Sequence, residues 1–324
     1  MYFEPLQRIR ELENPAHLTF EQVPCYLCGS GECEEFLIGG EDLTGKDGSF
    51  LYVKCKSCSL VYQNPRIPVS GIKEYYDGEY IAHRKKKDWG ILTPLYEWAM
   101  NKHDREKEKL VRKYTQCNDS TALLDVGCAV GTFLLHMRKK TQCNIHGVDF
   151  KEGLDYPGFD TIQFYEGLFY DQPIPSESMD IVTMWHFFEH DYDPISTLAT
   201  AKRVLKSDGK LILEVPRLDS LTFKWFGKKW PGVQAPQHTV LYTKETILAM
   251  LEKNGFKVEA YLPYGAFPPY FYIFTGAYFK WIGKGLKLDK IIFPYFLGQL
   301  LWSPILLFSK RLNLSMQTVV CTKK

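Results

Sequence analysis

The stretch at residues 123–134 reads LLDVGCAVGTFL. Its first part is a largely apolar run that ends in the β-branched Val126, as expected of a buried strand. A turn of small residues follows, at Gly127, Ala129 and Gly131, and an amphipathic helix then begins. Small residues let a ligand approach the backbone, and the first turn of a helix presents free N–H groups and a partial positive charge. The stretch therefore predicts a strand, a ligand-binding turn and a helix.

The spacing within this turn separates it from the commonest nucleotide-binding loop. Asp125 lies at the end of the predicted strand, so the pattern is D-x-G-x-A-x-G and not the G-x-G-x-x-G of dinucleotide-binding proteins. It resembles motif I of class I S-adenosylmethionine (SAM) methyltransferases, whose loop wraps the methionine end of the cofactor. The resemblance implies a SAM site that includes Asp125, Gly127, Ala129 and Gly131.

Three further blocks follow in the order that this resemblance requires. Residues 143–149 (CNIHGVD) predict a second strand that ends in Asp149. In doubly wound folds, an acidic residue about 20 positions after the first loop binds the ribose hydroxyls. Residues 178–190 (SMDIVTMWHFFEH) resemble the family's fourth strand and its Glu-His, and residues 201–216 (AKRVLKSDGKLILEVP) resemble its helix, Gly turn and fifth strand. The resemblance implies an α/β fold with the Rossmann-like seven-stranded sheet of class I methyltransferases.

The fourth-strand block supplies candidates for the cleft between cofactor and acceptor, namely Trp185, His186 and His190. The string H-x-x-E-H also occurs in inverted zinc proteases, but there it lies on a helix with a distant third ligand, whereas here it follows an apolar strand. The alternative for each histidine is a structural role, with its ring bonded to backbone groups. The predicted cofactor-binding residues are Asp125, Gly127, Ala129, Gly131, Asp149, Phe150, Gly167, Leu168, Trp185 and His186.

Two C-x₂-C pairs lie a hairpin's length apart near the amino terminus. Four thiolates presented by two turns are the ligand set of a structural zinc ribbon. The odd count of nine cysteines and the reducing cytosol expected for a SAM enzyme disfavour disulfides. We predict a structural zinc ion bound by Cys25, Cys28, Cys55 and Cys58, with Cys33 as the alternative ligand.

The order of cysteine pairs, an Asn-Pro, a Tyr-Tyr pair and then motif I resembles a bacterial group that includes deoxysugar C-methyltransferases. In those enzymes a tyrosine-rich link borders the active site, so Tyr76 and Tyr80 are candidates for a lid, with aromatic packing between domains as the alternative. The group also has a Glu-His dipeptide whose His is the general base. Here the dipeptide is Gln237-His238, and the missing Glu weakens an expectation of carbon methylation. The predicted catalytic residues are His238, His190 and Tyr80.

The carboxyl-terminal part is rich in aromatic and apolar residues. Residues 265–283 contain a single charged residue and residues 291–309 contain none. Because the last strand must return to the sheet, we predict a hydrophobic helical hairpin at residues 264–312, inserted between strands six and seven, that dips into one leaflet of a membrane. A dimer interface or a substrate lid is the alternative.

The predicted organisation is a zinc-ribbon-like module (1–70), a Tyr-rich linker or lid (71–103), a SAM-binding core (104–263), the hydrophobic hairpin (264–312) and the last strand of the core sheet (313–324). A chain of 324 residues, 45% hydrophobic, is long enough for a catalytic domain and a small module.

The predicted function is SAM-dependent methyl transfer to a small-molecule, sugar- or lipid-linked acceptor. The expected location is the cytoplasm, with peripheral contact to the inner face of the cell membrane. A net charge of +2 is too balanced to predict a nucleic-acid surface, so no nucleic-acid partner is expected. The alternatives are a zinc-ribbon methyltransferase acting on ribosomal or transfer RNA, and a non-catalytic scaffold with the same fold.

Overall fold

A computed structural model describes residues 3–76, 93–150, 156–285 and 312–324. The described strands are β1 (Cys33–Gly40), β2 (Ser49–Cys55), β3 (Val61–Gln63), β4 (Ala122–Val126), β5 (Asn144–Asp149), β6 (Gln163–Glu166), β7 (Met179–Trp185), β8 (Leu205–Pro216), β9 (Val240–Leu241), β10 (Phe256–Leu262) and β11 (Met316–Lys323). The described α-helices are α1 (Pro5–Arg10), α2 (Val69–Ile72), α3 (Thr93–Tyr114), α4 (Thr132–Thr141), α5 (Pro194–Val204), α6 (Leu221–Phe226), α7 (Lys244–Lys253) and α8 (Pro269–Trp281).

The main sheet has seven strands in the order β10-β11-β8-β7-β4-β5-β6. Strands β4 to β8 are parallel to one another, and β11 is antiparallel to both of its neighbours, β8 and β10. This arrangement confirms the predicted seven-stranded sheet and its returning last strand. The winding direction reverses between β4 and β7, and in open α/β sheets such a switch point leaves a crevice outside the carboxyl ends of the strands.

Local sequence signals set the ends of the helices that cover this sheet. Helix α7 begins after Thr243, whose side chain accepts a hydrogen bond from the N–H of Thr246 and forms a reciprocal capping box with it. Beyond its last turn, Gly255 has a φ of +82°, the left-handed conformation that favours glycine after a helix. Residues next to the helix therefore fix both of its ends.

A second, antiparallel sheet contains β1, β2, β3 and β9 in that order. Strand β9 comes from the segment between β8 and β10, and it pairs Val240 with Tyr62 and Leu241 with Val61 of β3. Gln63 of β3 donates side-chain hydrogen bonds of 2.9 Å to the carbonyl oxygens of Pro236 and His238. The amino-terminal sheet therefore fixes the backbone of the segment that carries His238.

The first part of the predicted hydrophobic hairpin forms α8. This helix packs against α6, where Gly276 and Trp281 of α8 lie beside Phe226. Gly276 of α8 lies so close to Phe226 of α6 that an added Cβ would come within 2.4 Å of its ring. The uncharged segment at residues 291–309 lies outside the described residues, as does Tyr80. Within the described ranges, none of the helices has the length and apolar character that a membrane span requires.

Candidate functional site

The loop between β4 and α4 is folded tightly against the carboxyl ends of the parallel strands. Gly127, Ala129 and Gly131 all have positive φ values, of +77°, +49° and +73°. The N–H of Gly127 donates a hydrogen bond of 2.8 Å to the carbonyl of Val148 at the end of β5. A Cβ added at Gly127 would lie 2.8 Å from the ring of Phe187, the second residue after β7. The loop therefore lies between the ends of β5 and β7, at the switch point.

A carboxylate and an exposed aromatic ring lie beside this loop. Asp149 accepts hydrogen bonds from the N–H of Ala129 (2.8 Å) and from that of Phe150 (2.7 Å). The Phe150 side chain is 58% exposed. Gly167, with φ of +115°, donates its N–H to the Asp149 carbonyl at 2.8 Å, and Leu168 beside it is half-buried. A carboxylate next to apolar surface at this edge fits the ribose and adenine of SAM.

Two predicted cofactor-binding residues lie beneath the loop, on the side of the sheet that faces α3 and α4. Asp125 is buried and accepts a hydrogen bond of 2.6 Å from the hydroxyl of Thr183. Burial raises the pKa of Asp125 to about 7, although the ammonium of Lys107 opposes the rise. Trp185 is also buried, and its indole packs edge-on against Phe133 of α4, with 5.5 Å between ring centroids. Asp125 and Trp185 are therefore buried in the packing beneath the loop.

His186 lies in a left-handed conformation, with φ of +55°, directly after β7. Its Nε2 is 3.1 Å from a carboxylate oxygen of Glu214 on β8, and its Nδ1 is 3.6 Å from Glu189. Burial disfavours the imidazolium, but the two carboxylates outweigh that effect and raise the pKa of His186 to about 9. His186 is therefore protonated at neutral pH.

Glu214 is the partner of His186 that sequence reasoning missed. Its side chain is fully buried and accepts hydrogen bonds from the N–H groups of Ala266 (2.6 Å) and Phe267 (3.0 Å). A signal was present, because Glu214 interrupts the otherwise apolar end LILEVP of the fifth strand. A carboxylate in a buried strand needs donors or a cation, and both are found here.

The ion pair of His186 predicts a dependence of stability on pH. Because the pKa is raised from 6.5 to about 9 on folding, the stabilisation is fully present below pH 6.5 and is lost as pH rises through about 9. We expect the free-energy difference between wild type and His186→Gln to shrink by on the order of 3 kcal/mol across that window. Urea unfolding at both ends of the window measures it. His17→Gln, at an exposed site, is the control, and a pH-independent difference would contradict the ion pair.

A second cluster contains Glu189, His190 and His238. The imidazole rings of His190 and His238 meet edge to face, with 4.4 Å between centroids. Nδ1 of His190 is 3.0 Å from the carbonyl oxygen of Gln237, and Nδ1 of His238 is 2.8 Å from that of Gly232. A carbonyl only accepts, so Nδ1 carries the proton in each ring and Nε2 keeps the lone pair. The structure therefore brings two predicted catalytic histidines together.

The protonation of this cluster bears on the roles predicted for its two histidines. Burial lowers the pKa of His238 to about 3, and the neighbouring His190 adds to the effect. Burial also lowers the pKa of His190, against the attraction of Glu189. A neutral His238 with so low a pKa is a weak base. His190 is only partly buried, and its Nδ1 is 2.9 Å from the hydroxyl of Tyr76.

The four cysteines of the two C-x₂-C pairs come together at one end of the antiparallel sheet, where β1 begins and β2 ends. The Sγ atoms of Cys25 and Cys58 are 3.4 Å apart, and those of Cys28 and Cys55 are 3.5 Å apart. All four sulfur atoms lie within 4.8 Å of one another. Zn–S bonds of about 2.3 Å in a tetrahedron place sulfur atoms about 3.8 Å apart, so the cluster fits zinc. Cys33, the alternative ligand, lies outside the cluster.

The two turns that present these sulfur atoms have the same backbone geometry. Gly29 and Ser59, each directly after the second cysteine of its pair, have φ values of +77° and +63°. Their N–H groups donate to the carbonyls of Cys25 and Cys55, at 2.8 and 2.9 Å. The repeated turn turns both cysteine pairs toward one centre.

Comparison with known proteins agrees with this fold. A family model described as a methyltransferase domain matches residues 100–261, which is half of the chain. A comparison with curated protein sequences finds no significant match.

The chain is also similar to several solved structures. A geranyl diphosphate methyltransferase in complex with SAM is 12% identical with a TM-score of 0.51, over 76% of this chain and 95% of that one. The cyclase SpnF is 17% identical (TM-score 0.46; 68% and 80% of the two chains). A putative methyltransferase of Haloferax volcanii, in complex with the activator Trm112, is 16% identical (TM-score 0.47; 69% and 92%). At 12% identity, the likeness to the geranyl diphosphate methyltransferase shows the fold alone.

Proposed function

The chain belongs to the methyltransferase-domain family, and we propose that it transfers the methyl group of SAM to a small-molecule, sugar- or lipid-linked acceptor. The observation that carries this proposal is the contact between Gly127 of the cofactor loop and Phe187. Phe187 lies between the two ends of the H-x-x-E-H string, so the histidine cluster lies beside the loop.

SAM, when bound, supplies a methyl group that is already activated on a sulfonium. The chain therefore has to orient the acceptor for an in-line displacement and to receive the acceptor's proton. His190 is the best placed residue for the proton, since it is neutral, partly exposed and has its Nε2 lone pair available. Its Nδ1–H donates to the carbonyl oxygen of Gln237 and lies within hydrogen-bond distance of the hydroxyl oxygen of Tyr76. These two contacts fix the orientation of the ring.

Two measurements test the proposal. Isothermal titration calorimetry with SAM tests the cofactor site directly, and no binding at high micromolar SAM would favour a non-catalytic scaffold. Isotope-labelled SAM, incubated with small molecules that co-purify with the protein, should label an acceptor that mass spectrometry can identify.

We also propose that the cysteine cluster binds one structural zinc ion. Four thiolates fill the four positions of a tetrahedral zinc ion and leave none for water or substrate. Cys25 and Cys28 precede β1, Cys55 is the last residue of β2 and Cys58 follows it, so the ion would join the start of β1 to the end of β2 in the sheet that holds the His238 segment.

Contact with a membrane surface is a further part of this proposal, supported by the end of α8. Trp281 and Ile282 are 71% and 74% exposed, and Trp225 of α6 beside them is 48% exposed. The ammonium of Lys280 lies among them, 2.8 Å from the carbonyl oxygen of Trp225. Exposed aromatic and aliphatic side chains next to lysine are suited to an anionic lipid surface.

Replacing Trp281 and Ile282 together by serine should therefore weaken binding to anionic vesicles while SAM affinity stays unchanged. Burial of apolar side chains contributes about 25 cal/mol per Å². Vesicle flotation measures the effect. Val69→Ser, which changes an exposed apolar residue of α2, is the matched control. If wild-type protein does not float with anionic vesicles, a dimer interface or a substrate lid becomes the better explanation of this surface.

A further inference from the structure

The cluster beside the cofactor loop has the donor set of a metal site. Glu189, His190 and His238 each place one ligand atom within 4.8 Å of the others. Nε2 of His238 is 4.0 Å from a carboxylate oxygen of Glu189. Two imidazoles and one carboxylate, with further positions open, are a common ligand set for divalent ions such as Fe²⁺, Mn²⁺ and Zn²⁺.

The carboxylate of Glu189 lacks the hydrogen-bond donors that burial requires. Its side chain is 1% exposed, and neither of its oxygens accepts a hydrogen bond from the residues that the structure describes. The nearest charged donor, Nδ1 of His186, is 3.6 Å away and is bonded more closely through its other nitrogen to Glu214. A buried carboxylate without donors is costly unless a cation compensates it.

The neighbouring buried carboxylate does have such donors. Glu214 accepts hydrogen bonds from the N–H groups of Ala266 and Phe267, and it lies 3.1 Å from Nε2 of His186. Glu189 is therefore the carboxylate of this pocket to which the described residues supply no donor.

The two remaining histidines are oriented as metal ligands usually are. Each donates its Nδ1 proton to a backbone carbonyl, His190 to Gln237 and His238 to Gly232. A metal-bound histidine typically makes this second hydrogen bond, which fixes the tautomer and directs the other nitrogen at the ion. Nε2 of both rings thus stays available.

We propose that Glu189, His190 and His238 bind a divalent metal ion beside the cofactor loop, separate from the cysteine cluster. Three protein ligands leave at least one coordination position for an oxygen ligand. If the chain methylates an acceptor as proposed above, that position would hold an acceptor with a hydroxyl or carbonyl oxygen. With the ion bound, His190 would be a ligand, and the proton of an acceptor hydroxyl would pass to solvent water in place of His190. This last step rests on the proposed function, whereas the metal site does not.

Binding of Mn²⁺ to the full chain, loaded with zinc at its cysteines, tests the site, because Mn²⁺ prefers oxygen and nitrogen ligands to thiolates. Electron paramagnetic resonance of free Mn²⁺ in a titration should show one Mn²⁺ bound per chain. Glu189→Gln keeps the size of the side chain and removes its charge, so we expect its Mn²⁺ affinity to fall at least about tenfold. Glu166→Gln, an exposed position, is the matched control.

Either of two results would overturn the site. One is wild-type protein that takes up no Mn²⁺ at millimolar concentration, and the other is a folded Glu189→Gln variant with wild-type affinity. If Glu189→Gln does not fold, His190→Gln takes its place, since His190 is only partly buried. SAM titrations on the same samples keep the two proposals apart, because a protein that binds Mn²⁺ but not SAM would sink the proposed function alone.

Discussion

Replacing Gly127 by valine should abolish SAM binding. Gly127 has φ of +77°, which strains any L side chain, and a branched one most of all. Its Cβ would also lie 2.8 Å from the ring of Phe187, a distance that side chains cannot accept. The loop or Phe187 must therefore move, and with either movement the N–H groups that face the cofactor lose their positions. We expect affinity to fall by at least about a hundredfold, or about 3 kcal/mol.

Calorimetric titration with SAM measures this loss, and Gly227→Val controls for backbone strain. Gly227 also has a positive φ, of +55°, but an added Cβ there meets nothing within 4 Å. The control should lose stability and keep SAM affinity. Wild-type affinity in the Gly127→Val protein would refute the assignment of this loop to the cofactor.

The cofactor loop was predictable because its signals are local. An apolar strand, a turn of small residues and a helix follow one another within residues 123–134, and each has its own residue preference. The structure has this order as β4, the loop and α4. The two cysteine turns were predictable for the same reason. Each C-x₂-C pair is recognised from four consecutive residues, without knowledge of the rest of the fold.

The contacts that set the chemistry were not predictable in this way. His186 and Glu214 are 28 positions apart and meet because β7 and β8 are neighbours in the sheet. Strand β9 has two residues and pairs with β3 across almost 180 positions of sequence, so no local periodicity marks it. The low pKa of His238 arises from burial by these long-range contacts, and its sequence neighbours gave no sign of it.

Replacing Cys55 and Cys58 together by serine should remove the zinc ion and loosen the amino-terminal sheet. Binding of a structural zinc ion contributes about 10–16 kcal/mol of apparent free energy to small domains, so its loss should greatly lower the thermal stability of this module. Elemental analysis of freshly reduced protein should find about one zinc ion per wild-type chain and none per variant chain. Cys33→Ser is the matched control, because Cys33 is buried like Cys55 and pairs with it across β1 and β2, but lies outside the cluster.

Loss of this zinc ion should affect methyl transfer more than SAM binding. The amino-terminal sheet holds the His238 segment through two side chains, since Tyr52 and Gln63 donate hydrogen bonds to the His238 carbonyl at 2.6 and 2.9 Å. The cofactor loop makes its backbone bonds to β5 instead, at Val148. A zinc-free variant that binds SAM normally but transfers methyl groups slowly would therefore fit a structural ion that acts through the His238 segment, in which the carbonyl of Gln237 orients His190. Zinc-free protein with unchanged stability and turnover would contradict it.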